Sequence, residues 1–148
     1  MDILYEMGDR LKEYMTIHSL NARQFSELSG INRETLRGCI MGCTLLNTKN
    51  TLLAADCIPC SLEYLVGNTD KILDFTLKPR TPFYDNLNFI MELRRIKKCE
   101  VLKTDGKIDY SYYYRWKKGE LPKLETLNSL AKYLRCTMDM LMGREKIE

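Results

Sequence analysis

Four groups of residues have the types and spacing to do chemistry: six cysteines, one histidine, a tyrosine run that leads into basic residues, and a charged cluster of Arg33, Glu34 and Arg37. Cys39-x3-Cys43 and Cys57-x2-Cys60 have the spacing of two knuckles of a four-thiolate zinc site. Against that, a free cysteine is a small and readily buried hydrophobe. Cys60 and Cys136 fall at matching places in an internal repeat where an apolar residue belongs, and Cys39 falls where the repeat has Trp116. Core cysteines are therefore expected, with no metal and no other cofactor, and with no disulfide in a cytoplasmic setting. Cys43 and Cys99 are the thiols a redox role would use. His18 stands alone, so a base, a nucleophile partner or a ligand set built on histidine is missing. The chain has no G-x-S-x-G, no G-x-x-x-x-G-K and no H-E-x-x-H. These residues point away from an enzyme.

The tyrosine run carries a different chemistry. Tyr110, Ser111, Tyr112 and Tyr114 bring hydroxyls and ring edges, and Arg115, Lys117 and Lys118 bring cations close by. A tyrosine hydroxyl reaches phosphate, its ring edge meets a thymine methyl, and serine pairs with either kind of base edge. A second cluster is Arg33, Glu34 and Arg37, with Thr35 at its edge. Arginine pairs bidentately with guanine, and glutamate accepts from cytosine N4. Tyrosines also stack on single-stranded bases, but at helical spacing most aromatics belong to a core, where Tyr113 and Trp116 are expected. Both clusters are candidate base-reading groups, provided that helices present them on one face.

Those helices are legible from apolar spacing and caps. Ile3, Leu4, Met7, Leu11, Tyr14, Met15 and His18 follow the i, i+3, i+4, i+7 rhythm of one helix face. Asn21 caps a short second helix carrying Phe25 and Leu28 and closed by Gly30. Asn32 caps a third from Arg33 to Met41, ended by Gly42. Thr48 caps a fourth, which Pro59 terminates, and Ser61 caps a last turn with Leu62, Leu65 and Val66. The plan then repeats. Cys60 to Gly67 reads like Cys136 to Gly143, and Ile31 to Gly42 lies over Ile108 to Gly119. The second copy places helices from Phe83 to Lys98, Tyr110 to Lys118, Leu124 to Leu134 and Thr137 to Met142. Its second element is weak, because Thr104-Asp105-Gly106-Lys107 is a turn signal. The expected fold class is all-α, with a domain at 1–69, a linker at 70–82 and a second domain at 83–148. Thr81 and Pro82 suit an N-cap and a first helical residue. The alternation of Leu73, Phe75 and Leu77 also suits a short strand or an extended arm.

In the first copy the ordered residues are Leu20-Asn21-x3-Phe25-x2-Leu28-x-Gly30-Ile31-Asn32-x2-Thr35-Leu36, then Ala55-x2-Ile58-x-Cys60-Ser61-Leu62-x-Tyr64-Leu65-x-Gly67. In the second they are Ile108-Asp109-x-Ser111-x-Tyr113-Tyr114-Arg115-Trp116-Lys117-Lys118-Gly119, then Leu121-Pro122-x-Leu124-Glu125-Thr126-Leu127, Leu130-Ala131 and Leu134. Each copy resembles the five-helix helix-turn-helix domain of the lambda-repressor, Cro and Xre-type regulators. The resemblance implies two tandem domains of that kind, joined by an extended linker. It implies a sequence-specific double-stranded-DNA-binding transcriptional regulator, a repressor of the bacterial, phage or mobile-element type, reading the major groove with the third helix of one or both copies. The alternative is a protein–protein interaction module, such as a phage-type inhibitor or antirepressor. The chain departs from the family at Ala22 and Cys99, where these regulators carry a phosphate-binding glutamine, and at Gly38-Cys39, which stand where the second copy has Arg115-Trp116.

Charge separates the copies. Residues 1–69 carry 6 basic and 8 acidic side chains and residues 83–148 carry 14 and 10, in a chain of net charge +3. Phosphate neutralisation supplies much of nucleic-acid affinity, so the second copy is the better match. Its candidates are Lys98, Arg115, Lys117 and Lys118, with Arg94, Arg95, Lys97, Lys103 and Lys107 nearby. Half-sites lie ~34 Å apart and the linker reaches ~43 Å when extended, so one chain can act as a pseudo-dimer; a homodimer is the other arrangement. The opening residues, Met1 to Glu6, lack the features of an export signal, and no stretch approaches the ~20 apolar residues that a bilayer requires. A cytoplasmic location with no membrane partner is expected.

Overall fold

The computed structural model describes residues 3–72, 80–103 and 108–148, and every regular element among them is an α-helix. The chain divides into two compact units, Met1–Phe75 and Thr76–Glu148. No helix among the described residues is long and apolar enough to cross a membrane.

In unit one, α1 (Ile3–Ile17) buries Met7, Leu11 and Met15, spaced to lie on one face. Asn21 forms a capping box with α2 (Ala22–Ser29): its side chain accepts from the Gln24 amide at 2.8 Å, and the Gln24 side chain accepts from the Asn21 amide at 2.9 Å. Gly30 ends α2 at φ 82°, a backbone region open to glycine at no steric cost. Ile31 then buries its side chain, and the Ser26 hydroxyl donates to its carbonyl at 2.5 Å. Asn32 caps α3 (Arg33–Ile40) by accepting from the amides of Glu34 and Thr35. A buried isoleucine between a glycine stop and an asparagine start thus fixes how α3 leaves α2. The cap of α4 (Thr48–Cys57) is Asn47, which accepts from the Asn50 amide, and not Thr48. Asparagine is the stronger capping residue, so Thr48 becomes the first helical residue and is buried. Ser61 caps α5 (Leu62–Leu65). Helix α1 packs on α3 and α5, and α2 on α3 and α4. Leu28, expected on the inner face of α2, is 63% exposed, because Phe25 and Ser29 occupy that face.

In unit two, α6 (Phe83–Leu93) begins one residue later than Thr81-Pro82 suggests. Pro82 is the cap residue and makes no side-chain bond. The Thr81 carbonyl instead accepts from the buried Asn86 amide at 2.8 Å, which also donates to the Leu141 carbonyl at 3.0 Å. Helix α6 also stops short of Lys98. Arg95 turns into the left-handed region at φ 55°, so Lys98 opens the five-residue α7 (Lys98–Leu102). Ser19 does the same after α1, at φ 53°. In both places the next residue bonds back across the turn, Leu20 N–H to the Met15 carbonyl and Ile96 N–H to the Met91 carbonyl, each at 2.8 Å. That six-to-one bond is the Schellman ending. Asp109 caps α8 (Tyr110–Lys117), α9 spans Leu124–Leu134 as its spacing predicts, and Thr137 caps α10 (Met138–Leu141). Helix α6 packs on α8 and α10, and α9 on α10. Beyond α10, the Arg144 guanidinium bonds the Asp139 carboxylate at 2.5 Å with both side chains buried. The expected strand or arm at Leu73, Phe75 and Leu77, and the turn at 104–107, lie outside the described residues.

Candidate nucleic-acid interface

Two residues fix α8 from within. Tyr113 and Trp116, three apart and so on one face, are both buried. The Trp116 ring meets Tyr113 at 5.4 Å and 65° and Phe83 of α6 at 5.4 Å and 87°, edge-to-face arrangements that aromatic quadrupoles favour. Ile108, just before α8, is buried as Ile31 is before α3. The Tyr113 hydroxyl is buried with no hydrogen-bond partner among the described residues. Burial first, then the nearby Tyr110, Tyr84 and Cys99, raise its pKa well above the ordinary tyrosine value.

With that side turned inward, the rest of the α8 surface carries the predicted groups. Tyr110 and Tyr114 are 62% and 59% exposed, and Ser111, Arg115, Lys117 and Lys118 are exposed as well. Tyr112 is half-buried, its ring 6.0 Å from that of Trp116. The cations are held over rings: Arg115 lies 4.3 Å from the Tyr112 centroid, Lys118 Nζ 4.5 Å from that of Tyr114, and Lys98 Nζ 5.3 Å from that of Tyr113. Each such contact is worth about 0.5–1 kcal/mol at an exposed site, enough to restrict long side chains that otherwise wander. Arg115 also pairs with Glu120 at 3.5 Å, a half-exposed pair of about 0–1 kcal/mol that a phosphate displaces easily. Lys98 is thus brought to α8 from α7. Arg94 is not: its guanidinium donates to the carbonyls of Arg135 and Glu148. Arg95, Lys97 and Lys103 are exposed, and Lys107 lies outside the described residues.

Asp109 was not among the expected site residues. Its Oδ1 accepts from the Ser111 amide at 2.8 Å and from the Ser111 hydroxyl. These bonds to the charged form, the hydroxyl's foremost, lower the carboxyl below its ordinary pKa. An acid followed two residues later by serine at a helix start is the sequence sign of this contact.

Unit one presents α3 on the same plan with other residues. Leu36 and Cys39 are buried, Arg33, Glu34 and Arg37 are exposed, and Thr35 is half-buried. Glu34 and Arg37 pair at 3.7 Å, so their charges largely cancel in the free protein. Behind Cys39 stands Gly8 of α1. A Cβ there would lie 2.4 Å from the Cys39 carbonyl oxygen, so the two helices meet backbone to backbone.

All six cysteines are free thiols. Cys39 and Cys60 are buried, Cys57 and Cys136 half-buried, and Cys43 and Cys99 exposed. Burial pushes the Cys39 thiol up to about 11, so it stays protonated and inert. No group of three or more His, Cys, Asp or Glu among the described residues is placed to hold a metal ion, and the Cys39, Cys43, Cys57 and Cys60 set is not gathered into one site.

No protein-family model matches the chain, and no characterised protein or solved structure matches it either.

Proposed function

We propose that this protein is a sequence-specific double-stranded-DNA-binding regulator, a repressor of the type its sequence resembles. In this reading two lambda-repressor-like helix-turn-helix domains stand in tandem and offer α3 and α8 to the major groove. The observation that carries the proposal is the two-sidedness of α8. Its inner side is locked by Tyr113, Trp116 and Phe83, and the rest of its surface exposes Tyr110, Ser111, Tyr114, Arg115, Lys117 and Lys118. A helix fits the ~12 Å major groove, and it reads bases there only if something fixes its angle while cations beside it grip the backbone. Rings do the first and the basic residues do the second. The basic surplus of 83–148, 14 against 10, assigns most phosphate affinity to unit two, while Arg33, Glu34 and Arg37 of α3 carry stronger base chemistry. The partner is duplex DNA in the cytoplasm, met by both units of one chain or by a homodimer.

A second reading, a protein-binding module of the inhibitor or antirepressor kind, draws on unit one, where Leu28 and Met41 are 63% and 76% exposed and acidic residues outnumber basic ones. Replacing Lys117 and Lys118 together with alanine separates the two. Fluorescence anisotropy on duplexes selected from a random pool should show weaker binding to every sequence and a salt dependence lowered by about two in log–log slope, at ~0.9 per phosphate contact. Unchanged affinity in a variant with normal helix content would end the DNA reading.

A further inference from the structure

We infer that the second residue of each groove helix, Ser111 of α8 and Glu34 of α3, acts only as a hydrogen-bond acceptor, and so selects a base that carries an exocyclic amino group. The inference rests on the groove assignment above and specifies what those helices read.

A serine hydroxyl has one proton and lone pairs, and an ionised carboxylate has lone pairs alone. Where the two meet, serine must donate. Ser111 Oγ bonds Asp109 Oδ1, the same oxygen that takes the Ser111 amide at 2.8 Å. The proton is thereby committed to the protein, and the exposed side of Ser111 Oγ offers lone pairs only. An unrestrained serine tolerates either kind of base edge; this one does not. In the major groove cytosine N4 and adenine N6 donate, whereas guanine O6 and thymine O4 accept. The keto bases would set lone pair against lone pair.

Glu34 reaches the same state without help. It is the second residue after its cap Asn32, as Ser111 is the second after Asp109. Asn32 engages the Glu34 amide and leaves the carboxylate exposed, 3.7 Å from Arg37. A carboxylate set against adenine also meets the N7 acceptor, so Glu34 favours cytosine; neutral Ser111 takes cytosine or adenine. Asp109 is therefore a positioning residue, turning a permissive side chain into a selective one.

The test is selection of bound duplexes from a random pool by the full chain, followed by affinity measurement across salt. We expect the wild-type sites to show cytosine or adenine about tenfold over guanine or thymine at the base that Ser111 faces. Ser111→Thr, which keeps the hydroxyl, should retain that preference, and Ser111→Ala should reduce it to less than twofold with an unchanged salt slope. Glu34→Gln, which adds a donor beside the acceptor, should raise the acceptance of adenine about tenfold at the other half-site. Selected sites with guanine or thymine at both places, or a Ser111→Ala site identical to the wild type, would overturn the inference and leave DNA binding intact. Binding that ignores salt would overturn the groove assignment and this inference with it.

Discussion

Where α1 meets α3, Gly8 lies against the Cys39 carbonyl; where α6 meets α8, Phe83 lies edge-on to Trp116. The buried spacing along the first helices is otherwise alike, with Met7, Leu11 and Met15 in unit one and Phe83, Leu87 and Met91 in unit two. The third helix is thus seated by small residues in backbone contact in one unit and by interlocked rings in the other. The two partners in such a seat are tied together: small against large leaves a void or a clash. The outer faces differ in parallel. Helix α3 stores its charges as a Glu34–Arg37 pair, while α8 parks cations over tyrosines.

The contrast is sharpest at Trp116. Its replacement by alanine leaves Phe83, Tyr112 and Tyr113 facing a cavity and should cost unit two about 3–5 kcal/mol. Denaturant unfolding followed by far-ultraviolet circular dichroism measures this, and a loss below about 1 kcal/mol would mean that the rings do not seat α8. Gly8→Ala tests the other unit. The added methyl meets backbone, which cannot rotate away, so overpacking of about 1–3 kcal/mol outweighs the gain of up to ~1 kcal/mol in helix propensity. A net loss of about 1–2 kcal/mol is expected by the same method; a more stable variant would refute backbone contact between α1 and α3.

The smallest effect is the most particular. Tyr113→Phe removes a buried hydroxyl without a partner among the described residues and should stabilise unit two by about 1 kcal/mol at neutral pH. Because the folded-state pKa of Tyr113 is raised, the unfolded chain loses its proton first. The contribution is constant below the ordinary tyrosine value of about 10 and is lost as pH climbs beyond it. The stability difference between variant and wild type should therefore widen above about pH 10. Trp116 emission, the chain's single tryptophan signal, reads both arms, and a difference independent of pH would place the hydroxyl in water.

Much of this was written in short-range chemistry. Asn21, Asn32 and Ser61 cap where their types and positions predict, and Tyr113 and Trp116 go inward as a three-residue spacing requires; Thr137, expected as a first helical residue, is the cap of α10. The end of α6 was harder to place, because Arg95 enters the left-handed region without a glycine to announce it. Reading α6 through to Lys98 followed from that, and it hid the fact that Lys98 opens α7 beside Tyr113. Tyr112, expected among the outward tyrosines, sits four residues before Trp116 and leans on that ring. Asp109 enters as the cap of α8 only with the structure, and its hold on the Ser111 hydroxyl depends on a rotamer, which sequence does not specify.

The ion pair of Arg144 and Asp139 makes the residues after α10 a keystone in place of a loose end. A cut just ahead of Arg144 would remove the buried cation that the Asp139 carboxylate pairs with, and breaking a buried pair from one side costs about 3–5 kcal/mol. Any tag, fusion or protease site joined to unit two must therefore be placed downstream of that arginine, or the unit loses the bolt that shuts it.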